Sequence, residues 1–227
     1  MELNYSFLAQ HIPALADGVW TTILLSTSSI ALGFVVGTFL AVARRSSSRT
    51  LRFLTAAYVE IIRNTPLLIQ IFLTFFGLSM LGPSLPAVLV AVIALTINTA
   101  AYTSEIVRAG FDSIKAGQWE AGDALGLSRA QVYWHVALLP AIERVYPSLC
   151  SQFVLLMLAS SITSQISVEE LTGVANYLQS SSYRPFETYT VTALIYLALS
   201  LMLRVVLWGI GQSIFPRQRA LRRAVAA

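Results

Sequence analysis

The chain has 227 residues, of which 56% are hydrophobic and only 11% are charged. With a mean hydropathy of +0.69, it is too apolar for an ordinary soluble domain, so the composition predicts a membrane protein. The net charge of +4 and the pI near 9.5 do not indicate a nucleic-acid-binding protein, because the basic residues cluster between apolar stretches.

The first apolar stretch follows an N-terminal segment, residues 1–15, that lacks the basic start of a secretory signal. We expect that segment to be retained, outside the cytoplasm or along the membrane surface. Residues 19–43 carry no charge and are long enough to cross a hydrocarbon core roughly 30 Å thick. Gly33 and Gly37 lie four residues apart, a spacing that permits close helix contact but is about as easily met by chance.

The second and third predicted spans, residues 54–81 and 87–109, contain polar side chains. Pro66 interrupts hydrogen bonding within the second span. Ionisable groups at membrane depth usually serve a pathway or an ion pair, and this makes a set of residues substrate-pathway candidates. The set is Arg63, Gln70, Asn98, Tyr102 and Glu105.

Each of these candidates has an alternative role. Arg63 and Glu105 have matching depth, so they either pair or line a cavity. Gln70 and Asn98 either hold a substrate or form hydrogen bonds between helices, with equal weight given to both. Glu60 is either an interfacial residue near the arginines that follow the first span, which is the favoured interpretation, or a ligand of the substrate.

A polar segment, residues 112–142, separates the third span from the fourth at 147–168. Its sequence predicts a short helix over Gln118–Leu125 that ends at Gly126, because glycine adopts a left-handed conformation without penalty. Ser128 then begins a second helix, in which Gln131 completes a capping box. In the fourth span, we expect the hydroxyls of residues 160–164 to bond their own backbone.

The remaining elements are a polar loop at 169–187, a fifth span at 188–212 and a basic tail at 214–227. Arg204 interrupts the fifth span, and we expect it to extend toward the interface rather than pair inside the bundle. Basic residues accumulate on one predicted side, which places the N-terminus outside and the C-terminus in the cytoplasm. The sequence thus predicts an all-α polytopic membrane protein with five transmembrane helices.

Three stretches resemble the inner-membrane permease subunits of bacterial ATP-binding-cassette importers, in the branch that takes up polar amino acids. They are VEIIRNTPLLIQIFLTFFGL, NTAAYTSEIVRAGFDSIKAGQWEAGDALGLS and ISVEELTGVANYLQSSSYRPFETY. The resemblance covers nearly the whole chain. It implies that the polar segment is a cytoplasmic coupling loop, whose short helix docks on a separate ATPase.

The family pattern of this loop is Glu-Ala-Ala, three residues, Gly, nine residues, an aliphatic residue, one residue, then Leu-Pro. The resemblance thus implies a set of coupling residues: Trp119, Glu120, Ala121, Asp123 and Gly126. Two positions depart from the pattern. Gly122 replaces the usual alanine, and Pro140 falls one residue late, so the exit from the loop is not fixed by the resemblance.

The resemblance also implies partners: a second permease subunit, identical or related, an ATPase dimer and an extracytoplasmic amino-acid-binding protein. No GxxxxGK phosphate loop occurs, so ATP and magnesium belong to the partner ATPase and this chain is expected to bind no cofactor. Cys150 is the only cysteine and the two histidines are isolated, so no catalytic or metal site is predicted. The rival reading is a proton-coupled secondary transporter that titrates Glu105.

Overall fold

The computed structural model describes residues 5–82 and 85–215, which form helices joined by short connections and contain no strand. The helices are α1 (Ser6–Ala9), α2 (Ile12–Ala43), α3 (Arg49–Arg63), α4 (Leu67–Leu81), α5 (Ala87–Asp112), α6 (Ala116–Ala124), α7 (Arg129–Gln131), α8 (Leu138–Ala159), α9 (Leu171–Ser182) and α10 (Pro185–Ile214). A π-helical stretch, Val132–Ala137, joins α7 to α8, and a 3₁₀ stretch, Ser160–Ile166, continues α8.

Four helices of the described ranges are long and apolar enough to cross a membrane. They are α2, α5, the continuous run Arg129–Ile166 and α10. The pair α3 and α4 makes a fifth candidate only if its two limbs are counted together. The predicted all-helical, multi-span class is confirmed, and the predicted count of five holds if the bent pair is one span.

The second span was predicted as one element over residues 54–81, whereas the structure has two helices with a sharp bend between them. Its limbs α3 and α4 meet at 111°, and each has 15 residues, or about 22 Å of helix. Neither limb alone covers a hydrocarbon core of about 30 Å. The break follows from Pro66, which has no N–H to donate and disfavours helical geometry in the residue before it.

The helix α5 lies at the centre of the bundle, where it packs against α2, α3, α4 and α8. It runs parallel to α2, so both helices end on the same side. We call that side the basic end, because it carries Arg44, Arg45, Arg108 and Lys115. The opposite end holds the start of α2, the helix α9 and the start of α10.

Gly33 and Gly37 form the contact between α2 and α5. A Cβ atom at Gly33 would lie 2.5 Å from Cβ of Thr99, and one at Gly37 would lie 2.7 Å from the carbonyl oxygen of Ala100. Real side chains do not tolerate such distances, so the two backbones approach each other where glycine allows it. The four-residue spacing is therefore a packing motif in this protein and not a chance occurrence.

Two boundaries at the opposite end differ from the prediction. The helix of the first span begins at Ile12, seven residues before Val19, and Pro13 lies in its first turn, where a missing N–H costs nothing. The predicted polar loop at 169–187 contains α9. Residues 216–227, most of the predicted basic tail, lie outside the described residues, as do residues 1–4.

Glu170 fixes α9 to the bundle. Its side chain is fully buried and caps α9 by accepting hydrogen bonds of 2.9 Å from the amides of Thr172 and Gly173. The hydroxyl of Tyr196 on α10 donates to the same carboxyl group at 2.7 Å. The amide of Leu171 donates to Oγ1 of Thr22 on α2 at 3.1 Å. One turn of chain thus connects three helices.

The polar residues of the last two spans agree with their structural interpretations. Hydroxyls of the 3₁₀ stretch donate to backbone carbonyls three residues earlier, as in the bond from Ser160 to Met157. Arg204 is exposed on α10, which is unbroken from Pro185 to Ile214. Arg204 forms no ion pair with any acidic residue in the described part of the chain.

Replacing Gly33 by alanine should destabilise the protein. The added methyl group must push α2 away from Thr99, and overpacking of this kind costs about 1–3 kcal/mol, which exceeds the gain in helix propensity of about 1 kcal/mol. Thermal unfolding of the purified protein in detergent measures the change. Gly77→Ala is the control, because nothing lies within 4 Å of its Cβ position. Equal midpoints for the two variants would contradict the packing assignment.

The buried carboxyl group of Glu170 should make stability depend on pH. Burial raises the pKa of Glu170 above its ordinary value of 4.5, because the loss of solvation outweighs the hydrogen bonds that favour the charged form. The folded state therefore holds the proton more tightly, and this contribution to stability is lost as the pH rises from 4.5 through the raised pKa.

Thermal unfolding measured across that pH range tests this sign. The midpoint of the wild type should fall with pH relative to Glu170→Gln, which carries no titrating group at this position. Glu169→Gln, at an exposed neighbouring position, is the control and should follow the wild type. A constant difference between wild type and Glu170→Gln at every pH would refute the assignment.

Candidate functional site

The helix α6 lies at the basic end, within the segment that the sequence singled out. It covers Ala116–Ala124, so it starts two residues before the predicted Gln118 and ends one residue before Leu125. Gly126 has a φ of +70°, and its amide donates to the carbonyl of Asp123 at 3.0 Å. The next amide, of Leu127, donates to the carbonyl of Gly122 at 3.2 Å. These two bonds are a Schellman motif, which confirms the predicted glycine stop.

The inner side of α6 packs on its own chain. The Trp119 ring lies edge-on to Tyr133, with centroids 5.0 Å apart, and the Arg45 guanidinium lies 5.4 Å from the Trp119 ring. Gly122 is buried against Val132, where a Cβ atom would come within 2.8 Å of a methyl group. This contact explains the first departure from the family pattern, because alanine at position 122 would collide with Val132.

The outer side of α6 is exposed. Glu120, Ala121, Asp123 and Leu125 are all exposed, and Leu125 is 77% exposed. Four of the five predicted coupling residues, those other than Trp119, thus lie at exposed positions. Trp119 is instead half-buried against Tyr133. Leu125 was missed, although an apolar residue directly before a helix-ending glycine could have indicated it.

After the turn at Gly126, a continuous helical run from Arg129 leads into the fourth span. Ser128 and Gln131 form the predicted capping box, with bonds of 3.4 Å and 2.8 Å. The π-helical stretch follows, and the amide of Leu138 donates to the carbonyl five residues earlier, at Tyr133. The second departure from the family pattern is Pro140, which lies three residues after this π-helical stretch. The helix thus changes its pitch close to the position where proline lacks an N–H donor.

Charged side chains form a network at the basic end. The carboxylate of Glu105 accepts hydrogen bonds from Arg44 at the end of α2 and from Arg108 on its own helix. Arg63 approaches the same carboxylate at 3.9 Å, and its guanidinium lies 5.6 Å from the ring of Tyr102. The predicted pair of Arg63 and Glu105 is therefore present, as the longest contact in a larger group.

A second carboxylate extends the network to α6. Asp112 binds Arg45 and also accepts a bond of 2.7 Å from Arg108. Nε of Arg45 donates to the hydroxyl of Tyr133 at 3.1 Å. A chain of charged contacts thus runs from Glu105 to the aromatic pair that holds α6. The positions 105, 108 and 112 share one face of a helix, and that spacing in the sequence could have indicated the network.

Gln70 and Asn98 bind each other. The amide nitrogen of Asn98 donates to Oε1 of Gln70 at 2.9 Å, and the amide of Gln70 donates to the carbonyls of Ile62 and Thr65 at 2.7 and 3.0 Å. Both side chains are buried. Gln70 therefore satisfies carbonyl groups left open by the break before α4. Their hydrogen bonds match the interhelical alternative and leave little capacity for a substrate.

Within residues 5–82 and 85–215, no three His, Cys, Asp or Glu side chains are arranged to hold a metal ion. The arrangement at the basic end is instead suited to mechanical contact: a clamped helix with one free face, joined by ion pairs to the central helix. The fold and this site are those of a multi-span membrane protein with an exposed helix face at its basic end.

Comparison with known proteins identifies that class. Residues 12–215 match the model of the family described as binding-protein-dependent transport system inner membrane component, and the chain belongs to this family. It is therefore the permease subunit of an ATP-binding-cassette importer and not an enzyme, which confirms the resemblance drawn from the sequence.

Individual relatives agree over almost the full length. The octopine transport system permease protein OccM of Rhizobium meliloti is 36% identical over 234 residues, covering 99% of this chain and 96% of its own. The probable glutamine ABC transporter permease protein GlnM of Bacillus subtilis is 37% identical over 203 residues, covering 89% and 94%. A crystal structure of an amino acid ABC transporter with histidines matches at a TM-score of 0.83 and 33% identity, covering 94% of this chain and 100% of that chain.

Replacing Gly126 by alanine should loosen the end of α6. A left-handed conformation costs a non-glycine residue about 1–2 kcal/mol, and open space around Gly126 leaves this backbone term as the main effect. Hydrogen–deuterium exchange at the C-terminal amides of α6 should become about fivefold faster or more. Gly117→Ala is the control, because Gly117 is also unconfined but has no positive φ. Equal exchange in both variants would contradict the assigned helix end.

Proposed function

We propose that this subunit forms one half of the translocation pathway of an importer for polar amino acids or their derivatives, with its basic end in the cytoplasm. The orientation is supported by the arginines that follow α2 and by Arg108, Lys115 and Arg129 near α6, since positive residues favour the cytoplasmic side. This orientation puts the N-terminus outside and the C-terminus in the cytoplasm of a bacterial inner membrane.

The observation that carries the coupling role is the two-sided character of α6. Its inner side is fixed by Trp119, Tyr133 and Gly122, whereas its outer side presents Glu120 and Leu125 to solvent. A helix this short is marginal in water unless other contacts hold it. We infer that α6 is the coupling helix and docks on a cytoplasmic ATPase, which binds ATP and magnesium while this chain binds no cofactor.

The charged network supports transmission of movement from α6. Arg45 contacts Trp119, Tyr133 and Asp112, so a displacement of α6 would be transmitted through these contacts to the end of α5. Paired charges and packed rings resist separation more than exposed loops do, so the helix and the span move together. The rotation of such elements about short connections is a common mode of switching.

The polar side of the bundle supports the pathway. Arg63, Tyr102 and Glu105 follow one another from mid-height to the basic end and are only partly covered. One subunit of this size encloses no complete channel, so a second permease subunit, identical or related, completes the pathway around a shared axis. An extracytoplasmic binding protein delivers substrate to the opposite end, as the family description implies.

The substrate class is supported by the relatives. OccM is named for octopine and GlnM for glutamine, and the solved relative is an amino acid transporter. An amino acid or a derivative that keeps its charged groups fits all three. The alternative of a proton-coupled transporter loses its basis, because the family consists of binding-protein-dependent systems and Glu105 is occupied by guanidinium groups.

Replacing Leu125 by glutamate, or Glu120 by lysine, should uncouple the transporter. Hot-spot residues at the centre of an interface contribute about 2 kcal/mol or more, so ATP hydrolysis stimulated by the loaded binding protein should fall more than tenfold, with normal membrane insertion. The measurement is ATPase activity of the complete complex in liposomes.

Thr50→Glu is the control for Leu125→Glu, because it adds the same negative charge at an exposed position in the first turn of α3. It should retain wild-type stimulation. Unchanged stimulation in both α6 variants would exclude α6 as the docking helix.

A further inference from the structure

The break between α3 and α4 lies at mid-height of the bundle. Thr65 binds Gln70, which binds Asn98 on α5, and the hydroxyl of Tyr58 donates to the carbonyl of Ile97 at 2.6 Å. Asn98 is roughly 16 Å from the start of α5 and about 21 Å from its end, at 1.5 Å per residue. The last two turns of α3 therefore cross α5 far from either end.

Polar side chains are exposed at that depth. Glu60, Asn64 and Thr65 all lie on the open surface of the break, whereas Val59 beside them is buried. Among the described residues, no arginine, lysine or histidine lies within 4.0 Å of the Glu60 carboxylate. An unpaired carboxylate against hydrocarbon is costly, so this surface must face water or another protein subunit.

Glu60 makes no ion pair with the arginines that follow the first span. That residue was expected at the interface beside the arginines after the first span. It follows Arg49 and Arg52 by three and two turns of α3, respectively, and takes no part in the network of Arg44, Arg45 and Arg108. Glu60 is thus separated from the basic end and left free on the open side of the break.

Arg63 provides a positive group on the same segment. It is 37% exposed, and its contact with Glu105 at 3.9 Å is the longest ion pair of the network. Its guanidinium lies over the Tyr102 ring, whereas Glu60, three residues earlier on α3, takes part in no ion pair among the described residues. The segment thus presents a carboxylate and a guanidinium three residues apart on α3, a spacing that puts the two side chains on one face of the helix.

We propose that Glu60 is a substrate-contact residue that binds the ammonium group of a zwitterionic amino acid at the α3–α4 break, while Arg63 receives its carboxylate. Asn64 and Thr65 provide hydrogen-bonding groups around the ammonium. The inference rests on the proposed function, because it takes the open side of the break to face the pathway that a second subunit completes. It identifies the carboxylate and the guanidinium that bind the two charged groups of the substrate.

Accessibility tests the first half of the proposal without knowledge of the substrate. In a Cys150→Ala background, Glu60→Cys and Asn64→Cys are treated in liposomes with a membrane-impermeant, cationic methanethiosulfonate, with and without ATP. Both positions should react. Leu201→Cys, exposed near the middle of α10, is the lipid-facing control and should not. Reaction no faster than at Leu201 in either condition would overturn the proposal.

Transport tests the second half. The reconstituted complex is assayed with a panel of radiolabelled L-amino acids and octopine, and the compound taken up by the wild type becomes the probe. Glu60→Gln should lower the uptake rate at least tenfold, the factor that corresponds to about 1.4 kcal/mol, with intact subunit assembly. Glu60→Asp, which keeps the charge, should restore part of the rate.

The outcomes separate the two proposals. Uptake by Glu60→Gln equal to that of the wild type would overturn the substrate contact and leave the proposed function standing. A wild-type complex that imports no compound of the panel would overturn the proposed function, and the contact with it.

Discussion

The close contact between α2 and α5 sets the arrangement on which the rest of the subunit depends. Gly33 and Gly37 let two parallel helices approach until backbone and small side chains touch. Such a contact has few alternative registers, because a shift of one residue would place a larger side chain against Thr99 or Thr103. The register in turn brings Arg44 beside Glu105 and Arg45 beside Asp112. An apolar contact in the bundle thus decides which charges pair at its basic end.

The charged network turns this register into a connection between the central helix and α6. Exposed ion pairs contribute little on their own, whereas a network whose members are held by packing is more effective. Here Arg45 is the shared member, since it touches Asp112, Tyr133 and the Trp119 ring. The aromatic contact and the glycine fit at Val132 fix α6 from the other side. The helix is therefore coupled to two spans without being part of either.

Much of this could be predicted from the sequence, because it depends on local signals. The start of α5 at Ala87, the glycine stop at Gly126 and the capping box at Ser128 were all visible in the residues themselves. The rest depends on contacts between distant segments. Pro66 predicts a break in the helix but not the angle of 111° between its two limbs. The residues next to Trp119 in the sequence do not show that its ring packs inward against Tyr133 and Arg45.

The polar residues around the broken span divide into those whose hydrogen bonds hold the helices together and those that remain exposed. Gln70 and Asn98 looked equally suited to a substrate or to packing, and the structure finds them buried, bonded to each other and to the ends of the broken helix. A buried amide with its bonds made is costly to redirect, since each lost bond leaves an unpaired group. Glu60 and Asn64, ten and six residues before Gln70, are exposed at the end of the preceding helix. The same break thus has a buried side, whose hydrogen bonds hold the helices together, and an exposed side, where the Glu60 carboxylate forms no ion pair with any described residue.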